Sequence, residues 1–513
     1  MPRRIRWLGA AMVACFVLLF VQLNNFQVVK AHEYSDAPNN PQVLAAKFGK
    51  TRGPILSADG MVLAQSVLAP KGSTYKYQRV YPTKALFGQI TGVFSLRYSS
   101  YGVEAYYNSY LLSHDRPVKT LGDLLSNQTV TDTVTLTLSD KLQTDAMNAL
   151  AGRDGAIVVL DPSTGAIEAM YSNPSFDPNP LTSETCVVFK MVGGRRECAQ
   201  TASQHAMAFY TTPDSEGFPP FTSLAYQDIG FPGSTFKIVT SAAAYEHAPQ
   251  LVNTPIKYYA CIPPGTFKGQ SKQLCNFDPN KSCGGTIADM LPPSCDTGFA
   301  ILGTRVGAFS MAAEADSFGF NQQPPIDLPH SPSSSPDEVS QFLQPGCYQN
   351  AEVFLAYASI GQDCTKASPL QMAMVAAGIA NGGRVMTPHV MSQIRDSQGN
   401  LVETYTPKRW LQATSPQTAS AINKLMTEVV TSGTAAGIFP ASEDVAAKTG
   451  TAQIQNAAGV DILTNDWMIA FAPASAPKVA IAVYLPDQPV SDTGAEKAGP
   501  VMATMISDTL GGP

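Results

Sequence analysis

The sequence predicts an α/β protein of the α+β kind, carried by one N-terminal transmembrane helix. Three observations lead there. Residues 7–29 are a nearly unbroken apolar run behind Arg3, Arg4 and Arg6. Strand patterns stand at both ends of the large C-terminal part, at 155–170 and again after Val445. Between them, from Ser234 to about Asn381, helical patterns dominate.

The N-terminal run comes first. About 20 apolar residues span a bilayer, and arginines on one flank stay in the cytoplasm. Residues 1–6 then read as a cytoplasmic tail and 7–29 as the anchor. A cleaved signal peptide is the competing reading, with only a weak small-residue pattern before Val29-Lys30-Ala31-His32 to support it. Either way the rest of the chain lies outside the cytoplasm. With 513 residues it is long enough for two or more domains with full cores. At 44% hydrophobic and 14% charged residues it is globular in composition, not disordered. A net charge of −6, with no basic stripe and no Walker or dinucleotide loop, gives no reason to expect nucleic acid or a nucleotide. The histidines are scattered, His32-Glu33 lacks a second histidine and no Cys-x-x-Cys occurs, so neither metal nor other cofactor is expected. Eight cysteines follow the anchor, a number that suggests disulfides in an oxidising compartment, with buried free thiols as the alternative. Cys186 with Cys198 and Cys347 with Cys364 are the expected pairs.

Residues 30–150 contain no chemistry of their own. Residues 30–50 read as a polar stalk. Asp59-Gly60 between apolar alternations signals a hairpin. A helix is expected through Tyr107–Leu112, a strand over Thr133–Leu138, and a helix from Ser139 or Asp140. The part from 151 to 513 opens with a hairpin across Gly155–Met170, turned by Asp161-Pro162-Ser163-Thr164-Gly165. Residues 181–230 look like a loose insertion, 255–285 a Cys/Pro/Gly-rich loop and 324–346 a Pro/Ser-rich one. A hairpin is expected past Asn381-Gly382-Gly383 and a helix over Pro416–Ser432. Runs at Val445–Ala452, Asp466–Pro473 and Lys478–Leu485 read as three strands, with a last helix from about Gly499.

The chemistry starts at Phe231-Pro232-Gly233-Ser234-Thr235-Phe236-Lys237. Pro232 and Gly233 break what precedes them, which places Ser234 at or near a helix N-cap and Lys237 one turn on, on the same face. A serine alcohol needs an adjacent base to become a nucleophile. A buried lysine can be that base, because desolvation disfavours its charged form. Ser475-Ala476-Pro477-Lys478 repeats the spacing, but Pro477 and the apolar run behind it suit a turn into a strand. Ser294-Cys295-Asp296 enters another helix and offers a second hydroxyl. Lys448-Thr449-Gly450-Thr451 lies on a strand, where the glycine lets an extended ligand approach the edge and Lys448, Thr449 and Thr451 face its carboxylate.

In this order, 60 residues (294 − 234) and then 154 residues (448 − 294) apart, the three elements resemble the active site of penicillin-binding proteins and serine β-lactamases. The flanks resemble class B penicillin-binding proteins, the monofunctional transpeptidases. Arg52-Gly53-Pro54-Ile55, Gly102-Val103-Glu104, Asn173-Pro174-Ser175-Phe176-Asp177-Pro178-Asn179, Ile360-Gly361-Gln362 and Pro369-Leu370-Gln371-Met372-Ala373 carry that likeness, which looks closest to the short actinobacterial cell-division type. It implies a serine transpeptidase/β-lactamase-like domain at 151–513, with a central antiparallel sheet and an all-helical subdomain. An elongated, mostly-β pedestal at 30–150, like the dimerisation domain of the family, would precede it. Carried over, Ser234 forms an acyl-enzyme with the D-Ala-D-Ala end of a peptidoglycan stem peptide, Lys237 is the base and Ser294 relays a proton to the leaving D-Ala. Lys448, Thr449 and Thr451 hold the terminal carboxylate, with Gly450 between them. The N–H groups of Ser234 and Thr451 form the oxyanion hole, worth about 3–4 kcal/mol per donor lost. β-Lactams would trap Ser234. A membrane glycan polymerase and division proteins are the implied partners.

Asp296 departs from the family, which usually has Asn there. A carboxylate donates no amide N–H to a substrate, and its charge is expected to raise the pKa of Lys237 and Lys448 and so weaken the base. That leaves three other readings to weigh: a catalytically weak division scaffold, a D,D-carboxypeptidase and a β-lactam-hydrolysing relative.

Overall fold

Five strands form the sheet that carries the chemistry, in the order Ile167–Asn173, Gly155–Leu160, Val479–Gln488, Asp461–Ala472 and Ala446–Gln455, every neighbouring pair antiparallel. The computed structural model describes residues 3–25, 49–69, 75–95, 97–115, 129–213, 217–329, 339–344, 347, 351–456 and 460–511. Successive side chains of a strand point to opposite faces, and here both faces are covered. Ile157, Val159, Met468, Ala470, Ile481 and Val483 pack against Met502, Met505 and Ile506 of the last helix, Gly494–Leu510, and Leu150 of Asp140–Leu150. Ala156, Val158, Leu160, Ile469, Phe471, Ala480 and Ala482 belong to the larger core on the other face. That core holds Pro369–Ala380, apolar all round and buried from Pro369 to Ile379, as a helix at the centre of a domain must be. Two-sided burial explains why Val479–Leu485 reads as one apolar run instead of alternating.

A second sheet runs Leu401–Thr404, Met391–Arg395, Thr133–Leu136, Ile55–Leu56, Val62–Leu68, Tyr77–Val80. Two of its six strands come from beyond residue 390, so the sheet begun at Ile55 is completed by the C-terminal part of the chain. Tyr107 and Asp327 add to this junction: the phenol donates to Asp327 Oδ2 at 2.5 Å, and Asp327 accepts the N–H groups of Val390 (2.6 Å) and Met391 (2.9 Å). Arg52 and Glu104 are brought together. Glu104 is fully buried and accepts from Arg52 Nε (2.5 Å), Arg79 Nε (2.6 Å) and Tyr81 Oη (3.2 Å). Burial raises its carboxyl, and the two guanidinium groups more than offset this, so its pKa lies below the usual carboxylate value. Removing one member of a buried ion cluster strands the others, so Glu104→Ala is expected to cost about 3–5 kcal/mol, read from a denaturant titration.

Local patterns are met closely. Ser139 caps Asp140–Leu150, and Asp59 of the Asp59-Gly60 turn accepts the N–H groups of Asp140 (3.0 Å) and Lys141 (3.2 Å) at the same helix end. The Tyr107–Leu112 helix is instead two short turns, Val103–Tyr106 and Asn108–Leu111. The last helix starts at Gly494, five residues before the expected Gly499. Thr493 caps it, and Pro500 sits inside it. Residues 181–230 hold more order than expected: a hairpin, Cys186–Val192 with Arg195–Thr201, and the helix Ala202–Tyr210 with a Thr201/Gln204 capping box. Four disulfides form: the expected Cys186–Cys198 and Cys347–Cys364, and also Cys261–Cys275 and Cys283–Cys295. At the N-terminus Arg3–Asn24 is a helix. Among the described residues no helix is long and apolar enough to cross a membrane. Residues 26–48, which include the end of the expected anchor and most of the stalk, lie outside the described residues.

Candidate active site

The strand Ala446–Gln455 is the edge of its sheet, and the serine segment packs directly against it. Gly233 makes this approach possible. Its φ is +53°, and a Cβ there would stand 2.6 Å from the Thr451 carbonyl oxygen. Its N–H donates to Gly361 O at 2.9 Å, which ties the expected Ile360-Gly361-Gln362 motif to the serine turn. Gly450 has a like role from the strand side: a Cβ would meet Pro232 O and Thr235 Cγ2 at 2.8 Å. The Trp467 indole donates to Phe231 O at 2.9 Å and fixes the start of the segment.

Ser234 is not the N-cap of an α-helix. It lies inside a 3₁₀ turn, Gly233–Phe236, and the α-helix proper is Lys237–His247. The tighter turn leaves the Ser234 hydroxyl free of capping and turns it toward Lys237. Lys237 Nζ, fully buried, donates to Ser234 Oγ (2.9 Å), the Ser294 carbonyl (2.7 Å) and Asp296 Oδ1 (2.7 Å). Ser234 Oγ also donates to Asp296 Oδ1 at 3.4 Å. Lys448 Nζ, equally buried, donates to Ser294 Oγ (2.7 Å) and the Thr449 carbonyl (2.9 Å). Ser294 thus stands between the two amines, in the left-handed region at φ +62°. Thr449 Oγ1 shares a hydrogen bond with Thr434 Oγ1 (2.6 Å), and Thr451 Oγ1 accepts from Gly494 N (3.0 Å).

All the residues singled out in the three motifs, Ser234, Lys237, Ser294, Asp296, Lys448, Thr449, Gly450 and Thr451, meet here. Ser234, Ser294, Asp296, Thr449 and Thr451 line a cavity of about 410 Å³, with the lysines beneath its wall. Ser475 of the second Ser-x-x-Lys triplet is engaged elsewhere, donating to Asp444 Oδ2 at 2.6 Å. The cavity also takes in Gln362, Thr434, Gln453, Thr493 and the segment Asn276–Cys283, none of which had been singled out as site residues. Gln362 lay within a recognised motif. The 276–283 segment gave no signal beyond Cys283 and its place in the Cys/Pro/Gly-rich loop.

Both effects expected at the lysines are present, and they oppose each other. Asp296 does push the lysine pKa values up, but burial outweighs it. Burial holds the Lys237 ammonium below its ordinary pKa against the Asp296 charge. Lys448 is pushed well below, by burial first and by the neighbouring Lys237 second. A desolvated amine touching a hydroxyl is the arrangement that activates a serine. Because Asp296 is the group opposing this depression, Asp296→Asn is expected to lower the Lys237 pKa further. The rise of the acylation rate with pH then moves to lower pH, checked by penicillin acylation rates measured across pH.

The penicillin binding protein transpeptidase domain model matches residues 155–507, and the penicillin binding protein A dimerisation domain model matches 52–132. The peptidoglycan D,D-transpeptidase PbpA of Mycobacterium tuberculosis is 31% identical over the whole of both chains. The protein of the same name from Mycolicibacterium smegmatis is 31% identical over 99% of each. Among solved structures, the penicillin G acyl-enzyme complex of M. tuberculosis penicillin-binding protein A is 29% identical, covers 90% of this chain and all of its own, and superposes with a TM-score of 0.74. Its ceftriaxone acyl-enzyme complex gives 28%, 91%, 100% and 0.73. The transpeptidase match spans the edge strand, the serine turn and both buried lysines, and the chain belongs to the penicillin-binding protein transpeptidase family, on the class B branch.

Proposed function

We propose that the protein is a peptidoglycan D,D-transpeptidase that cross-links stem peptides through an acyl-enzyme on Ser234 and is inhibited by β-lactams. The observation that carries this reading is the 2.9 Å contact between the buried Lys237 amine and Ser234 Oγ. Neutral Lys237 takes the Ser234 proton as Oγ bonds to the penultimate D-Ala carbonyl, with the backbone N–H groups of Ser234 and Thr451 receiving the oxyanion. The tetrahedral adduct collapses and the peptide bond breaks as the proton taken up by Lys237 passes through Ser294 Oγ, 3.4 Å from Lys237 Nζ and in contact with Lys448, to the departing D-Ala nitrogen. An amine from a second stem then attacks the ester and gives up a proton to Lys237, neutral again after the first step, which hands it to Ser234 Oγ as the ester bond breaks. Lys448, Thr449 and Thr451 bind the donor's terminal carboxylate. The free edge of Ala446–Gln455 accepts the donor as an added strand, which Gly450 permits by its lack of a side chain.

The same reading places the protein on the outer face of the membrane, anchored by residues 7–29, with a pedestal at 30–150 and the transpeptidase domain at 151–513. Met12, Phe16, Leu18 and Phe20 all face outward on the N-terminal helix, which supports the anchor. A glycan polymerase and division proteins are the partners, because 30–150 is too short to hold a polymerase beside the pedestal. The test is release of D-Ala from a stem peptide ending in D-Ala-D-Ala. Release that rises with an added acceptor amine, with matching cross-linked product, supports the reading. No release from a protein that is folded contradicts it.

A further inference from the structure

The cavity has one wall that no motif describes. Residues 276–282 form no regular element, yet Asn276, Phe277, Asp278, Lys281 and Ser282 all line the cavity beside Ser234. Both ends of this loop are bolted. Cys275 is bridged to Cys261, and Cys283 to Cys295, the residue between Ser294 and Asp296. Inside the loop, Asn276 ties both sides together. Its Oδ1 accepts Thr297 N (3.0 Å), while its Nδ2 donates to Tyr259 O (2.9 Å) and Lys281 O (2.8 Å). The next residue reaches the catalytic cluster itself: Phe277 N–H donates to Asp296 Oδ2 at 3.2 Å. The two oxygens of Asp296 are therefore divided, Oδ1 to Lys237 and Ser234, Oδ2 to the loop.

This division matters because Asp296 is a carboxylate. Held by a backbone N–H on one side, it presents one oxygen to Lys237 at a set distance, with part of its charge met elsewhere. Released from the loop, it is free to rotate and to place its full charge on the amine, which favours the ammonium and costs the base. Ser294, in its left-handed conformation one residue before Cys295, is held by the same bridge.

We propose that the loop 276–282 is a positioning element for acylation: the Cys283–Cys295 bridge, Asn276 and the Phe277 N–H hold Asp296 and Ser294 in working register with Lys237. The proposal rests on the reading that Ser234 is the acylated residue. Opening the bridge takes two electrons from a dithiol. One thiolate attacks a bridge sulfur and displaces the other as thiolate. The second thiol of the reagent then closes on the mixed disulfide, leaving Cys283 and Cys295 as thiols and the reagent as a cyclic disulfide. The charged groups facing Lys237 are Asp296 from its helix and Lys448 from the edge strand. On the loop, Asp278 and Lys281 pair with each other at 3.5 Å.

The experiment measures the second-order rate of acylation of the full-length chain by a fluorescent penicillin between pH 6 and pH 10. It compares wild type, wild type treated with dithiothreitol, Asn276→Ala, the double variant Cys283→Ser/Cys295→Ser, and Cys186→Ser/Cys198→Ser, whose bridge lies on the separate hairpin. The expected result is a slowing on the order of tenfold to a hundredfold in Asn276→Ala and Cys283→Ser/Cys295→Ser. In both, the rise with pH moves to higher pH, and dithiothreitol reproduces this in wild type. The hairpin variant keeps the wild-type rate. Folded Asn276→Ala and reduced wild type with the wild-type rate and profile overturn the proposal while leaving the function intact. A wild type that never acquires the label overturns the function, and the proposal with it.

Discussion

Ser234→Ala is expected to abolish D-Ala release and penicillin labelling completely while leaving the fold unchanged. The side chain is small, almost buried at 8% exposure, and its hydroxyl makes no structural bond outside the catalytic cluster. The turn around it is held by other groups: Gly233 on Gly361, Trp467 on Phe231, and Thr235 Oγ1 on Pro232 O at 2.7 Å. Removing one oxygen therefore deletes the nucleophile without loosening the turn. Thermal unfolding within a degree or two of wild type, beside zero label, is the expected pair of results. Residual labelling at a fraction of the wild-type rate would point to another acylated residue.

Lys237→Met carries the second largest effect. A positioned base is worth about 10²–10⁴ in rate, and no other described amine approaches Ser234 Oγ: Lys448 is engaged by Ser294 Oγ and the Thr449 carbonyl. Methionine fills a similar volume and carries no proton acceptor of use. Acylation is expected to fall by about 10²–10⁴ and to lose its dependence on the lysine's titration, so the pH profile flattens as the rate drops. The buried variant also gives up a desolvated amine whose pKa is depressed, so the loss of rate comes without a matching loss of stability. Stopped-flow acylation together with denaturant titration separates the two. A Lys237→Met protein that acylates within tenfold of wild type, with the same pH dependence, would remove Lys237 from the role of base.

Much of this site could be read before any coordinates, for identifiable reasons. Ser234 and Lys237 are joined by a local spacing that survives whether the turn between them is α or 3₁₀. Lys448, Thr449 and Thr451 sit on a strand that the small-residue run Val445–Ala452 marks in the chain. The fold class was equally accessible, because the apolar runs at 155–160 and 479–485 need two covered faces. The parts that escaped depend on distant partners. Nothing local in Met391–Arg395 or Leu401–Thr404 shows that they complete the sheet begun at Ile55. Eight cysteines allow 105 pairings, so the bridge that brings Asn276 and Phe277 to Asp296 is not deducible from spacing. The balance at Lys237 stayed open in the sequence for a related reason. The opposing charge of Asp296 is legible in the sequence, but the completeness of the burial that overrides it is a property of the packed core.

The central claim is that one hydroxyl, made nucleophilic by one buried amine, carries the covalent chemistry. Peptide mapping by mass spectrometry of the full-length protein after reaction with penicillin tests it most directly. A single adduct of the intact penicillin mass on the peptide containing Ser234, absent in Ser234→Ala, is the predicted result. No adduct, or an adduct on a peptide lacking Ser234, contradicts it.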